Sequence, residues 1–305
     1  MSTARMATAR MAAASKSTAS KSTADATERF GPPLSARSVV ASVLLGTEPP
    51  VMAPRALVRA GELFGLAEGT VRTALSRMTS AGELERDDTG RYRLVGHLVE
   101  RQRLQQASRE PQLREWGGVW EMWVVESTGR APAQRADLRL AARSLRLAEL
   151  RDGVWLRPDN LSRPSRDAPS GGPGGSDKTA GSDGAAETMA TQARRFVAYP
   201  DRDDELASEL WDLDGWDSAA LKLRREMHSV ARRLQDPDAE ALRDGFVLAA
   251  AVLRQFNSDP LLPVELCGPN HQGRILRADF DSYDATFRKA LRMWLAPEAT
   301  MAAQS

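Results

Sequence analysis

The chain has 305 residues, which is long for one domain and enough for two or three. Its 42 basic and 41 acidic residues leave a formal net charge of +1, which excludes a uniformly basic coat protein but not a local basic face. Cys267 is the one cysteine and excludes a disulfide framework, and the three histidines lack metal-ligand spacing, so we predict no cofactor. No apolar run approaches the roughly 20 residues of a membrane span, which predicts a cytoplasmic protein with no membrane partner.

Three segments have compositions that do not favour a packed core. Residues 1–34 open with tandem five-residue repeats and have no acidic residue before Asp25, which predicts a disordered basic tail, although a transit peptide has a similar composition. Glycine, serine and proline are frequent in residues 163–190, so we predict a flexible insertion there. Residues 298–305 are predicted to form a second tail.

The first ordered stretch predicts three helices followed by a hairpin. Ser35 suits the cap of the first helix, and Pro54 suits the first position of the second. A third helix is expected from about Thr70 until Gly82 ends it. Gly90 then lies in a turn where a positive φ is expected, between two short strands. Three helices and a hairpin in this order predict a winged helix-turn-helix.

The third helix separates into an apolar and a polar side. Val71, Leu75 and Met78 fall on the side that would pack against the first two helices. The opposite side and the hairpin carry arginine, serine and threonine, which are typical of contacts with DNA bases and phosphates. A solvated helix with no partner has the same composition, but the whole helix–turn–helix–wing order favours binding of double-stranded DNA. The predicted DNA-binding residues are Thr70, Arg72, Thr73, Ser76, Arg77, Ser80, Arg86, Arg91 and Arg93.

Beyond the hairpin, the pattern predicts a linker helix and a small α+β domain. Apolar residues alternate from Trp120 to Val124, Pro132 opens a helix, and further strands are expected at Val154–Leu156 and Arg195–Tyr199. This order fits a split βαβ, ferredoxin-like fold. Some small nucleases share that fold, but Glu126 would be the one acidic candidate at the end of the first strand, and a two-metal site needs several carboxylates.

The last block predicts a helical domain with a candidate ligand site. The expected helices are Glu205–Leu213, Ser218–Leu234, Ala239–Asn257 and Ala278–Leu295. The third of them is apolar nearly all round and should be central. Two tryptophans either pack this domain or line a pocket, and four arginines either form a solvated face or bind the phosphates of coenzyme A (CoA). These candidate effector-binding residues are Trp211, Trp216, Arg224, Arg225, Arg232 and Arg233.

Three stretches, in the same order along the chain, carry more specific patterns: Thr70–Arg86, Trp116–Val125 and Phe246–Leu266. They resemble the recognition helix and wing entry, the Trp-rich first strand, and the C-terminal helix with its Asp-Pro-x-Leu-Pro turn of the PaaX-type repressors, which regulate phenylacetate catabolism. The resemblance implies operator binding that an aryl- or acyl-CoA effector relieves. Three departures, at Glu126, at the Gly-rich stretch 168–184 and at Asn270–Gly273, bear on the effector more than on the fold.

The sequence therefore predicts a mainly α protein with α+β parts. The predicted parts are a winged helix-turn-helix at 35–96, a linker helix and ferredoxin-like domain at 97–200, and a helical domain at 201–297. The predicted function is a DNA-binding transcriptional regulator, a homodimeric repressor that a CoA thioester releases. No nucleophile–base set or phosphate loop predicts an enzyme. An enzyme acting on acyl-CoA or nucleic acid, and a DNA-binding scaffold without an effector, remain the alternatives.

Overall fold

The computed structural model describes residues 34–47, 49–126, 131–162 and 180–295. The chain is mainly helical with two small antiparallel sheets, which confirms the predicted fold class. The described residues divide into two compact units: those within 34–99, 222–252 and 277–295 form the first, and those within 100–221 and 253–276 form the second. Residues 1–33 of the predicted tail at 1–34, and the whole predicted tail at 298–305, lie outside the described residues, and the three-part domain map stays a prediction.

The region predicted as a winged helix-turn-helix has three helices and a hairpin in the expected order, with one more strand than the sequence predicts. Ser35 caps the first helix, because its hydroxyl accepts from the Ser38 amide at 3.1 Å, and Pro54 opens the second helix as expected. The additional strand β1 is two residues long, too short to show alternation, and pairs with β3 so that the sheet order is β1-β3-β2. The elements are α1 Ala36–Leu45, β1 Val51–Met52, α2 Pro54–Glu62, α3 Glu68–Ser80, β2 Leu84–Arg86 and β3 Tyr92–Leu94.

The sheet of the second unit has the topology of a ferredoxin-like fold. Its strand order is β5-β6-β4-β7, every neighbouring pair is antiparallel, and the elements follow as β-α-β-β-α-β along the chain. Strand β5 was not expected from the sequence. The elements from the end of the winged helix to this sheet's last strand are α4 His97–Arg109, β4 Trp120–Val125, α5 Pro132–Ser144, β5 Ala148–Arg151, β6 Val154–Pro158, α6 Ala180–Gln192 and β7 Ala193–Ala198.

Helix α6 corrects the predicted insertion. The sequence places 163–190 in a flexible segment, yet residues 180–190 are helical and lead directly into β7. The physical reason is packing: Met189 is fully buried and Ala185 is nearly so, in one cluster with Trp123 of the sheet. A helix of small residues needs few large side chains to lie on a sheet, so low apolar content was a poor guide here. Residues 163–179 lie outside the described part of the chain.

A buried arginine fixes the turn around Leu261 against the sheet. Arg157 is fully buried, lies 3.8 Å from the carboxylate of Glu121, and donates to the side-chain oxygen of Asn160 at 2.8 Å. Asn160 in turn donates to the carbonyl of Leu261 at 2.9 Å, where the backbone has a positive φ of 56°. This network satisfies polar groups that would otherwise be costly to bury.

The last helices agree with the predicted pattern, with starts and ends shifted by a few residues. They are α7 Asp203–Leu210, α8 Leu213–Arg233, α9 Ala239–Ser258, the short α10 Val264–Cys267 and α11 Gly273–Leu295. Helix α9 has fully buried side chains at Leu242, Leu248 and Val252, in keeping with the expected central position. Among the described helices, none combines the length and apolar character that crossing a membrane requires.

Candidate nucleic-acid interface

Helix α3, the predicted recognition helix, is anchored on α2 by a close contact at a glycine. A Cβ on Gly61 would lie 2.5 Å from a methyl group of Val71, so a larger residue would force the two helices apart. Gly65, in the turn between them, has a φ of +67°, which favours glycine. Val71, Leu75 and Met78 are at most 2% exposed, as the helical periodicity predicts. The opposite side of α3 therefore faces away from this packing.

The outward side of α3 carries all six residues that the sequence predicts for it. Arg72 forms an ion pair with Glu68 one turn earlier, with 2.7 Å between the atoms. The Thr73 hydroxyl donates to the carbonyl of Gly69 at 2.7 Å. Within the described part of the chain, Arg77 has no ion pair, so its guanidinium is available to a partner from outside. The exposed residues of this side are Thr70, Arg72, Thr73, Ser76, Arg77 and Ser80.

The wing tip is organised by one carboxylate. Asp87 accepts hydrogen bonds from the hydroxyl of Thr89 at 2.6 Å, from its amide at 3.0 Å and from the amide of Arg91 at 2.9 Å. These donors, the Thr89 hydroxyl first, lower the pKa of Asp87 to about 2. Gly90 completes the turn with a φ of +80°, which confirms the expected positive φ. The turn at the wing tip is thus fixed, while the side chain of Arg91 stays exposed.

The three predicted wing arginines are exposed and locally paired. Arg86 donates to the carbonyl of Gly90 at 3.1 Å, and Arg93 lies 2.7 Å from a carboxylate oxygen of Glu85. Arg91 lies 3.2 Å from Asp87. Exposed pairs of this kind contribute only about 0–1 kcal/mol, because water and salt screen them. A DNA phosphate can therefore replace the carboxylate partner at little cost.

An ion pair between buried Glu83 and exposed Arg37 holds the base of the wing against α1. Glu83 is 7% exposed, and Arg37 donates to both of its carboxylate oxygens. These hydrogen bonds lower the pKa of Glu83, although its burial opposes the shift. His97 lies 3.6 Å from the same carboxylate. The sequence analysis missed this pair, because two residues 46 positions apart leave no spacing signal.

The two predicted effector tryptophans lie in the second unit, each packed on another ring. Trp216 is 8% exposed, its ring centroid is 4.9 Å from that of His271, and its indole donates to Ser258 at 3.2 Å. Trp211 stacks on Trp120 with 6.2 Å between ring centroids. Such contacts are typical of core aromatics. The sequence analysis left two roles open for these tryptophans, and their contacts favour packing the domain over lining a ligand pocket.

The four predicted effector arginines lie on the part of α8 that belongs to the first unit. Arg224 is 2.6 Å from Asp279, and Arg233 pairs with Asp244. Arg225 and Arg232 are exposed. They are seven positions apart, which places them on the same side of the helix. The structure thus separates the four into two that carboxylates hold and two that face solvent.

Cys267 and Glu126 have side chains of types that enzymes use in catalysis, but their surroundings disfavour that chemistry. Burial, with the nearby charge of Asp259, raises the pKa of the Cys267 thiol to about 11, so it is protonated at neutral pH and is a poor nucleophile. Glu126, the candidate nuclease carboxylate, is paired with Arg194 at 2.7 Å. Among the described residues, no group of histidine, cysteine and acidic side chains has the arrangement of a metal site.

Comparisons with known proteins agree with this geometry. The family model described as PaaX-like protein matches residues 35–100, which span the winged helix-turn-helix and the start of α4. A solved structure titled uncharacterized protein Rv0674 from Mycobacterium tuberculosis is 35% identical, with a TM-score of 0.64. The similarity covers 85% of this chain and 98% of that one, so it extends far beyond the winged helix. No curated protein matches the chain.

Proposed function

The chain belongs to the PaaX-like protein family, and from that premise we propose that it is a transcriptional regulator that binds double-stranded operator DNA. The observation that carries the proposal is the division of α3 into two sides. Val71 and Leu75 anchor one side, and the other presents Arg77 with no ion pair among the described residues. A recognition helix needs this combination, since it must be rigidly mounted and still offer free donors to base edges.

The proposed contacts fall into two classes. Arg77 is assigned to a base edge, because a guanidinium can donate two hydrogen bonds to guanine. Arg72, Arg91 and Arg93 are assigned to phosphates, for which they exchange their exposed carboxylate partners. The hydroxyl groups and the remaining wing arginine complete the interface. The full proposed set is Thr70, Arg72, Thr73, Ser76, Arg77, Ser80, Arg86, Arg91 and Arg93.

We further propose that a homodimer acts as a repressor. Two recognition helices related by a two-fold axis would enter successive major grooves, about 34–36 Å apart, over an inverted repeat. Bound there, the dimer would block access to the operator. A ligand that changes the spacing of the two helices would release the DNA, because affinity depends on both half-sites being engaged together.

The proposed effector is an aryl- or acyl-CoA. Its phosphates need charge-assisted donors, and Arg225 and Arg232 offer guanidinium groups on one exposed side of α8. Arg224 and Arg233 stand beside them but are held by carboxylates. Trp211 and Trp216, which the sequence analysis names for the acyl group, have ring contacts that favour packing, so the exposed arginines support this proposal and the tryptophans do not.

Selection of bound duplexes from a random pool tests the DNA-binding proposal. The full-length chain should enrich a sequence with two-fold symmetry and half-sites about 10 base pairs apart, because the groove spacing fixes that distance. An enriched motif also shows whether the protein binds as a dimer. A pool that stays random after repeated rounds at low salt would contradict the proposal.

A thermal-shift panel of CoA thioesters, run beside titrations of the protein–DNA complex, tests the effector. Phenylacetyl-CoA or a related thioester should raise the melting temperature and release the selected DNA. Free phenylacetate is the matched control and should do far less, because it lacks the phosphates. If no thioester changes either signal, the effector-free scaffold replaces the regulated repressor, and turnover of a thioester without DNA release favours the enzyme.

A further inference from the structure

The turn between α2 and α3 is held by a side chain from the distant helix α9. Leu63 ends α2, and the last carbonyls of a helix lack partners within it. Arg243 donates to the Leu63 carbonyl at 3.1 Å from a position 180 residues further along the chain. Its positive charge also suits the negative end of the α2 dipole. One arginine therefore caps the helix that precedes the recognition helix.

An aromatic contact supports the same turn. The ring of Phe64 meets Phe246 of α9 edge-on, with 5.0 Å between centroids. Phe246 also contacts Phe287 of α11, at 6.5 Å. The two supporting helices approach closely at Gly245, where a Cβ would lie 2.8 Å from the Phe287 ring. The turn thus rests on a rigid pair of helices.

A third contact joins α2 to α11. The guanidinium of Arg59 lies over the ring of Trp294, 5.3 Å from its centroid. Cation–π contacts of this geometry are attractive and directional. Three contacts from two distant helices consequently fix the orientation of α2 and of the turn that leads into α3, all within the first unit.

From these contacts we infer that Arg243 is a positioning residue for DNA recognition: it sets the orientation of α3 through the Leu63 carbonyl and touches no DNA. This inference rests on the proposed DNA-binding function. Recognition geometry must be held to about 0.5 Å by supporting residues, so a looser turn lowers affinity even when every DNA-contacting side chain remains. The residues that the family model matches, 35–100, therefore depend on a side chain outside them.

Salt dependence separates a positioning role from a direct phosphate contact. Each phosphate that a protein neutralises adds about 0.9 to the slope of log affinity against log salt. Removal of an arginine that binds a phosphate weakens binding and lowers that slope by about 1. Removal of Arg243 should weaken binding about tenfold with no change in slope, since no DNA contact is lost.

The experiment uses the full-length protein and the duplex that the wild type selects. Affinity is measured over a series of salt concentrations for wild type, Arg243→Ala, Arg243→Lys and the matched control Arg292→Ala. Arg292 is an exposed arginine of α11, so its removal makes the same change in net charge. Arg243→Lys keeps a cationic donor and should recover part of the affinity. Phe64→Leu tests the aromatic support of the same turn, and Arg243→Gln, which keeps an amide donor without the charge, replaces Arg243→Ala if that variant does not fold.

The inference holds if Arg243→Ala, or Arg243→Gln in its place, binds about tenfold more weakly with the wild-type salt slope while Arg292→Ala binds like wild type. It is overturned if the variant binds with wild-type affinity, if its slope falls by about 1, or if Arg292→Ala loses as much. A wild-type protein that selects no duplex refutes the proposed function itself, which is a separate result.

Discussion

Arginines in the two sheets of this protein differ in what surrounds them. Arg157, in the sheet of the second unit, is fully buried beside Glu121 and donates its hydrogen bonds to groups of its own unit, such as Asn160. The wing arginines of the first unit are exposed, and Arg93 has only a weak surface pair. The comparison teaches that residue type does not identify a recognition residue. Burial and partners do, because an arginine whose donors are already used inside a core has none left for DNA.

The largest expected effect is the loss of stability when the buried arginine, Arg157, is removed. Arg157→Ala removes fully buried donors to Asn160 and to the Leu261 carbonyl, while Arg195 still pairs with Glu121 at 3.3 Å, so the free energy of unfolding should fall by about 3 kcal/mol. Arg194→Ala is the control, because Arg194 is an exposed arginine of the same sheet and should cost less than about 1 kcal/mol. Urea unfolding of both variants measures the difference. Equal losses of stability in the two variants would show that burial does not distinguish the contribution of Arg157 from that of Arg194.

The next largest effect is on DNA affinity and concerns the exposed arginine Arg77. Arg77→Ala should weaken binding to the selected duplex by about 1–3 kcal/mol and relax the preference at one base pair of each half-site. Arg101→Ala removes an exposed arginine of α4 that has no assigned DNA contact and should bind like wild type. Fluorescence anisotropy at one salt concentration measures both. Equal affinity of Arg77→Ala and wild type would remove Arg77 from base recognition.

A pH effect extends the comparison to a largely buried histidine of the second unit. His271 lies 2.8 Å from Asp217 and 3.8 Å from Asp259. Burial favours neutral imidazole, but these carboxylates outweigh it and raise the pKa. A raised folded-state pKa gives stabilisation that is complete below the ordinary value near 6.5 and is lost as pH rises through the folded value. The stability difference between wild type and His271→Asn should therefore shrink from pH 6 to pH 9, as urea unfolding at each pH will measure. A difference that stays constant or grows would contradict the assignment.

The smallest expected effect tests the weak surface pairs. Glu68→Gln combined with Glu85→Gln removes the partners of Arg72 and Arg93, and stability should change by less than about 1 kcal/mol. DNA binding should become slightly tighter, because two negative charges leave the interface. Anisotropy and thermal unfolding measure the two quantities. Weaker binding by the double variant would show that the carboxylates orient the arginines for DNA.

The local features of the winged helix were predictable from the sequence. Ser35, Pro54 and Gly90 mark a helix cap, a helix start and a turn by chemistry that acts within a few residues. The separation of Val71 from Arg77 on opposite sides of α3 follows from helical periodicity. Such signals can be recognised in a single sequence because residues close together in the chain produce them.

The supporting contacts were not predictable, because they join residues far apart in the chain. No spacing links Arg37 to Glu83 or Arg243 to Leu63, and each pair forms only after the helices pack. Helix α6 was missed for another reason, since a sequence rich in alanine and glycine hides the one large buried residue, Met189. Local pattern predicted the candidate site, while its support depends on tertiary packing.

Affinity cleavage tests the central claim, that α3 lies against DNA, most directly. Cys267 is the one cysteine of the chain, so Cys267→Ser allows a cleaving reagent to be attached at a single new thiol. With Thr73→Cys on the outward side of α3, the labelled protein should cut the selected duplex within the major groove of each half-site. A label at Glu209→Cys on α7 is the comparison and should give no focused cleavage. Focused cleavage from α7 with none from α3 would contradict the account.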